Sequence, residues 1–405
     1  MATVLLVLGV AFVAALFMSF TVGANSNSAP VAPAVGANAL SVLRAALLVG
    51  VVAALGAVLQ GGNISETIGK NLVTGVSISP LAAAVALITS ATLITLGNSR
   101  GYPIPSAFTV TGSIVGVGIA LGGGFAVDEY VRIVSFWLAI PLANAALGYL
   151  IARTLRSEHL DEAVGIPLLA AGVGYTLANI RLSVIPAPGG ESGSIAGYLA
   201  THFGVLPTHV FGQYTLGMVT VSAVVGASAL ALTRWQLLAD QTVGINRFLI
   251  GLGLLVVFTS GGTQVGLATG PLEAIFATDL HLSSVYLLAL GGVGILAGAW
   301  VRSPRVIQAV SNEYAALGPR RSIAALIPAF LVAQLAIVLG IPISFNKVMI
   351  SSIVGSGLVA STSGGGVSPK KAGFTVLSWV WSMGGAGLIS YGLYVGLTLV
   401  PGLGS

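Results

Sequence analysis

Hydrophobic positions along the chain gather into long uncharged runs, near 2–22, 45–60, 80–97, 110–127, 133–152, 163–180, 207–233, 248–260, 285–301, 323–340, 350–362 and 373–400. They show neither the two-residue alternation of half-buried strands nor the charged face of a soluble amphipathic helix. A helix crossing the hydrocarbon needs about 20 apolar residues. The pattern predicts an all-α polytopic membrane protein with ten to twelve crossings, several interrupted by Gly, Asn, Ser or Pro. The run at 2–22 has no basic stretch before it, and Thr21–Val22–Gly23 is a poor cleavage site, so it reads as a retained first helix.

Composition agrees. Charged residues are 7% of the 405, against about 25% in an ordinary soluble domain, and mean hydropathy is +1.00. That excludes a cytosolic enzyme, a disordered chain and, despite a pI near 9.6, a nucleic-acid-binding protein. The absence of cysteine excludes disulfides, thiolate metal sites and a cysteine nucleophile. No GxxxxGK[ST] sequence is present for ATP binding, and no HExxH, paired-Asp or Ser/His pattern suggests an enzyme.

Charge also orients the chain. With the N-terminus outside, twelve cations face the cytoplasm: Arg44, Arg100, Arg153, Arg156, Arg234, Arg247, Arg302, Arg305, Arg320, Arg321, Lys370 and Lys371. Three face outward: Lys70, Arg132 and Arg181. By the positive-inside rule both termini are expected outside a plasma membrane. The polar stretch 153–162 reads as a cytoplasmic loop and the Pro/Gly/Ser-rich 182–206 as an outer one.

The chain repeats itself across about 240 residues. Gly101-Tyr102-Pro103-Ile104-Pro105-Ser106 resembles Gly340-Ile341-Pro342-Ile343-Ser344. Gly112-Ser113-Ile114-Val115-Gly116-Val117-Gly118 then parallels Ser351-Ser352-Ile353-Val354-Gly355-Ser356-Gly357. Upstream, polar breaks are expected at Gly23–Ser28 and at Gly261–Gly266. The halves are 1–156 and 244–405, with a 157–243 linker carrying two helices. The topology puts equivalent segments on opposite sides, the signature of an inverted repeat with broken helices meeting at the midplane, as in secondary transporters.

The candidate site gathers the polar groups of these segments: Asn25, Ser26, Asn27 and Ser28; Thr263 and Gln264; Ser106 and Thr109; and Ser344, Asn346 and Lys347. Thr111 and Ser351 are further hydroxyls nearby in sequence. Hydroxyls, amides and half-helix N-termini suit a small oxyanion. Lys347 sits between apolar stretches, where an ammonium costs about 2.5–3.5 kcal/mol on insertion scales, so it is expected to face a cavity and balance an anion. Gln60 and Gln334 read as helix caps or helix–helix contacts, and Glu66 and Glu273 as exposed connector residues.

Together these residues resemble the inorganic phosphate transporter (PiT) family. Its first signature, roughly Gly-Ala-Asn-Asp-Val-Ala-Asn-Ala-Phe-Gly-Thr-Ser-Val-Gly-Ser-Gly-Ala-Leu, begins at Gly23-Ala24-Asn25. It stays in register at Val35-Gly36 and Ala39-Leu40. Phe258–Ala274, with Gly270-Pro271-Leu272, is similar to its second copy, and the family's Gly-Leu-Pro-Val-Ser-Thr-Thr-His resembles both proline loops. The resemblance implies a secondary transporter working by alternating access. Its substrate would be phosphate, or alternatively sulfate, its coupling ion sodium or a proton, and its assembly a homodimer. Asn25 stands at a family sodium-site position. The family's signature aspartates are Ser26 and Gln264 here, its second Asn is Thr263, and its loop histidines are Phe108 and Lys347. Two negative charges fewer and one positive charge more favour anions over cations. Proton coupling, or a sodium-independent uniport or channel, is therefore more to be expected here than in a typical member of the family, with sodium or a proton as the coupling ion.

Overall fold

The computed structural model describes residues 2–36, 38–99, 104–157, 160–187, 192–204, 207–212, 214–359 and 369–400. Arg100 and the opening of the first proline loop, Gly101, Tyr102 and Pro103, lie outside these, as do the side chains of Lys370 and Lys371.

The first half is helical: α1 (Ala2–Ser26), α2 (Ala32–Gly36), α3 (Val42–Gln60), α4 (Gly62–Glu66), α5 (Pro80–Ser99), α6 (Ser106–Ala120) and α7 (Val127–Arg156). Then come α8 (Glu162–Ala178), α9 (Ile195–His202) and α10 (Leu216–Ala239). The second half is α11 (Gln241–Thr269), α12 (Ser284–Leu339), α13 (Phe345–Leu358) and α14 (Pro369–Thr398). Three two-stranded antiparallel ribbons join them: β1 (Val73–Thr74) with β2 (Gly124–Phe125), β3 (Arg181–Pro186) with β4 (Ser192–Ser194), and β5 (His209–Phe211) with β6 (Tyr214–Thr215). The β3–β4 ribbon and α9 occupy the segment 182–206 expected as an outer loop, whereas β5–β6 takes up the start of the apolar run 207–233, whose helix begins only at Leu216.

Eight helical spans among the described residues are long and apolar enough to cross a membrane. Two lie in α12, Ser284–Gln308 and Gly318–Leu339, because Gly318 takes φ 74° and ψ 168° there and kinks the helix between them. Helices α6 and α13 have only 15 and 14 residues, about 21–23 Å at 1.5 Å per residue, short of the roughly 30 Å core. Each follows an extended proline-containing segment, so both begin inside the protein. There irregular backbone is tolerated because it is not exposed to lipid.

The first expected break is present. Helix α1 ends at Ser26, and Pro30 and Pro33 start a new helical direction over Ala29–Gly36. The second expected break is a correction: α11 runs unbroken through Gly261, Gly262, Thr263 and Gln264 to Thr269. No proline occurs there before Pro271, and the glycines stay helical because their small size is used for packing.

That packing is reciprocal. A Cβ at Gly23 of α1 would lie 2.3 Å from the Ile295 carbonyl oxygen of α12, and one at Gly261 of α11 would lie 2.0 Å from that of Ala53 in α3. Likewise Gly56 of α3 meets the Phe258 carbonyl of α11, and Gly298 of α12 meets that of Phe20 in α1. Gly23 and Gly261 are equivalent by the sequence repeat. These four helices thus exchange close contacts in pairs, α1 with α12 and α3 with α11, a reciprocity of the kind a two-fold relation produces. The same exchange recurs with the short helices, α6 against α14 and α13 against α7: Gly116 approaches the Gly387 carbonyl, and Gly355 that of Ala145.

Candidate functional site

Gln264 lies where the halves meet. Ser106, the first residue of α6, donates to the Gln264 side-chain carbonyl at 3.1 Å. The Gln264 amide donates to the Ile343 carbonyl at 3.1 Å, one residue before the N-cap of α13, Ser344. One side chain of α11 therefore ties the starts of both short helices together. Gln264, Thr263, Ser106, Thr109 and Ser344 are all buried. Pro105 and Ser344 are extended, so the first N–H groups of α6 and α13 have no preceding helical turn to bond and point their partial positive charge into this region.

Lys347, the third residue of α13, places its ammonium 3.4 Å from the ring centroid of Phe108, the third residue of α6. Phe108 stacks on Trp137 of α7 at 3.6 Å, and the Trp137 indole N–H donates to the Pro342 carbonyl at 2.7 Å. The aromatic face accepts the cation, and the indole bond fixes the proline loop. The gap among Phe108, Trp137, Ser344 and Lys347 is about 10 Å³, at most one water, so the centre is closed. Two larger cavities among the described residues lie elsewhere. One, about 620 Å³ and apolar, is between α8, α10 and α11; the other, about 610 Å³, is lined by the β3–β4 ribbon, α9 and Tyr214.

The first polar break joins this centre through α11. Ser260, one turn before Gln264, donates to the Asn27 side-chain carbonyl at 2.5 Å and its own carbonyl accepts from Thr263. The Asn27 amide nitrogen is buried and has no hydrogen-bond partner among the described residues; the same holds for the Thr111 hydroxyl. Ser26 is buried beside it. Asn25 instead donates to Thr21 of its own helix, and Ser28 donates to Ser303 of α12 at 2.6 Å. Asn346 is half-buried, and Thr109 bonds back to Pro105. Asn27, Thr263, Gln264, Ser106, Ser344 and Lys347 thus form the central group, with Asn25 and Ser28 at its edge.

Gln60 and Gln334 are a helix–helix contact: Gln60 donates to Gln334 at 3.2 Å, and Gln334 donates to Thr259 at 2.8 Å. Glu66 is exposed as expected, against Lys70. Glu273 is a correction. It is 5% exposed, and accepts from Ser65 at 2.9 Å and from Ser284. Residues Gly270–Leu272 continue α11 as a 3₁₀ turn that packs on α4 and brings Glu273 against it. Glu162 is a second correction to the solvated-loop reading: it is buried, pairs with Arg320 and accepts from Gln241.

Sequence reasoning missed Trp137 and Asn144. Asn144 donates to the Val348 carbonyl of α13 at 2.8 Å. A lone amide within the apolar run 133–152 is the signal that marks it, since such a group needs a buried partner.

The sequence model described as the phosphate transporter family matches residues 22–390. A candidate phosphate permease of Pyrococcus horikoshii is 25% identical over 95% of this chain and 96% of its own length. One of Chlamydia pneumoniae is 24% identical over 92% and 94%. A solved structure titled "The sodium-dependent phosphate transporter" superposes with a TM-score of 0.80 at 21% identity, over 97% of this chain and 99% of that one. It shares the fold.

Proposed function

The chain belongs to the phosphate transporter family, and from that premise we propose that it is a permease that carries inorganic phosphate across the cell membrane by alternating access. The observation that carries this reading is the double bond of Gln264 to Ser106 and to Ile343, which brings two half-helix N-termini and Lys347 to one closed point. A tetrahedral oxyanion needs several donors in a compact cup, and a positive field in a low-dielectric site. The α6 and α13 N–H groups, Ser106, Ser344 and the Asn27 amide nitrogen supply the donors. Lys347 supplies the charge. The reciprocal packing of the halves supports an inverted repeat, in which rocking one half against the other exposes the centre to each side in turn. Breaking the hydrogen bonds around Gln264 opens the cup; remaking them closes it.

No carboxylate belongs to the central group, so a coupling cation would find its ligands elsewhere. Labelled phosphate uptake into proteoliposomes, with unlabelled phosphate or sulfate as competitor, tests the assignment. We expect phosphate to compete and sulfate to compete weakly. Stronger competition by sulfate would make this a sulfate permease.

A further inference from the structure

We propose that Glu273, with the hydroxyls of Ser65, Thr269 and Ser284, forms a binding site for a monovalent alkali cation, distinct from the central anion site. Glu273 is 5% exposed and no Lys, Arg or His pairs with it among the described residues. A carboxylate withdrawn from water without a countercharge is costly, and a bound cation removes that cost. The surrounding atoms are the right kind. Both Glu273 carboxylate oxygens and the Ser65 and Ser284 hydroxyls meet within hydrogen-bond distance, and the Ser65 hydroxyl lies 3.2 Å from that of Thr269. These are hard oxygen donors with a single negative charge, which suits an alkali cation better than a divalent or transition metal. Each hydroxyl that now donates can rotate and present a lone pair.

The backbone gives an independent sign. The only two π-helical segments among the described residues, Thr67–Asn71 and Ile275–Asp279, flank this cluster, one after Ser65 and one after Glu273. Widened turns of this kind relax the regular backbone ladder and concentrate at functional sites.

The site also touches the anion site's supports. Asn63 and Ser65 share the short α4; Asn63 donates to the Ile337 carbonyl at 3.2 Å, and a Cβ at Gly340 would lie 2.8 Å from the Thr67 hydroxyl. Gly340 opens the loop to Ser344. A cation that fixes α4 against Glu273 therefore also fixes the loop that carries the start of α13. This link to transport rests on the permease reading; the cation site itself does not.

The experiment is the thermal stability of the purified chain in detergent, titrated with sodium chloride against choline chloride at equal ionic strength. Phosphate titrations run in parallel. Sodium is expected to raise the melting temperature of the native chain by mass action, and not that of Glu273→Gln. Thr269→Val and Ser284→Ala should each require about tenfold more sodium for the same shift. These two variants keep the carboxylate and decide the matter if Glu273→Gln does not fold. No sodium-specific shift in the native chain, or the same sodium dependence in the variants, overturns the site. Loss of the phosphate shift alone would sink the permease reading and leave the cation site standing.

Discussion

Phe108 and Lys347 hold the same third position in the two short helices and touch one another, ammonium to ring centroid at 3.4 Å. The repeat thus places two equivalent residues face to face and makes them unlike, one a cation and one an aromatic face that tolerates it. Lys347→Ala should lower phosphate uptake in proteoliposomes more than tenfold at normal expression. The Coulomb attraction of one charge pair at 4 Å and an effective dielectric of 20 is about 4 kcal/mol, and tenfold needs only about 1.4. Uptake at the native rate would remove Lys347 from the anion site.

Gln264 is expected to be needed for folding and transport together. Gln264→Leu strips Ser106 of its acceptor and Ile343 of its donor in a buried setting, about 1–3 kcal/mol for each group left unpaired. Gln264→Glu keeps the shape and the Ser106 bond but sets an acceptor against the Ile343 carbonyl. Both variants should melt lower in detergent, with Gln264→Glu retaining more folded protein. Equal stability of Gln264→Leu and the native chain would show that the two short helices are held by something else.

Reciprocal packing makes a paired prediction. Gly23→Val and Gly261→Val each push a side chain into a carbonyl of the other half, at Ile295 and Ala53. Overpacking of this kind costs about 1–3 kcal/mol or more. The two should reduce the monodisperse fraction on size-exclusion chromatography to similar extents. Gly9→Val, where nothing lies within 4 Å, should not.

How much of this was legible in the sequence follows from what each residue needs. The repeated Ser-Ile-Val-Gly marked α6 and α13 correctly, because the glycines and the proline loops are local demands of close packing and backbone direction. Lys347 was legible because a lone ammonium among apolar residues has few places to go. The break at Asn25–Ser28 was legible through Pro30, whereas Gly261-Gly262 misled. Glycine permits a break but does not force one, and here α3 packs against it. Glu273 and Glu162 were not legible, since their burial depends on a 3₁₀ turn and on an arginine from a distant helix. Which amide of the first break turns inward was also hidden. Asn25 and Asn27 are two residues apart, and only the end of α1 at Ser26 decides that Asn27 meets Ser260 while Asn25 bonds its own helix.

The pair Glu162–Arg320 ties the start of α8 to the Gly318 bend of α12, with Gln241 at the start of α11 as a third member. Glu162 is buried, while the Arg320 side chain is 53% exposed. Arg320→Ala therefore leaves a carboxylate with one neutral donor, but water reaches the vacated side, so the expected loss is about 1–3 kcal/mol, below that of a fully enclosed pair. Glu162→Gln removes the charge instead of its partner and should cost less. In the double variant the penalty of Arg320→Ala should largely vanish. A double-mutant cycle on melting in detergent reads this directly, with a coupling of about 1 kcal/mol or more expected. Strict additivity would mean that α8 and the bend are held apart from this pair. High salt should weaken the native contact on its exposed Arg320 side, so the measured coupling should fall as ionic strength rises.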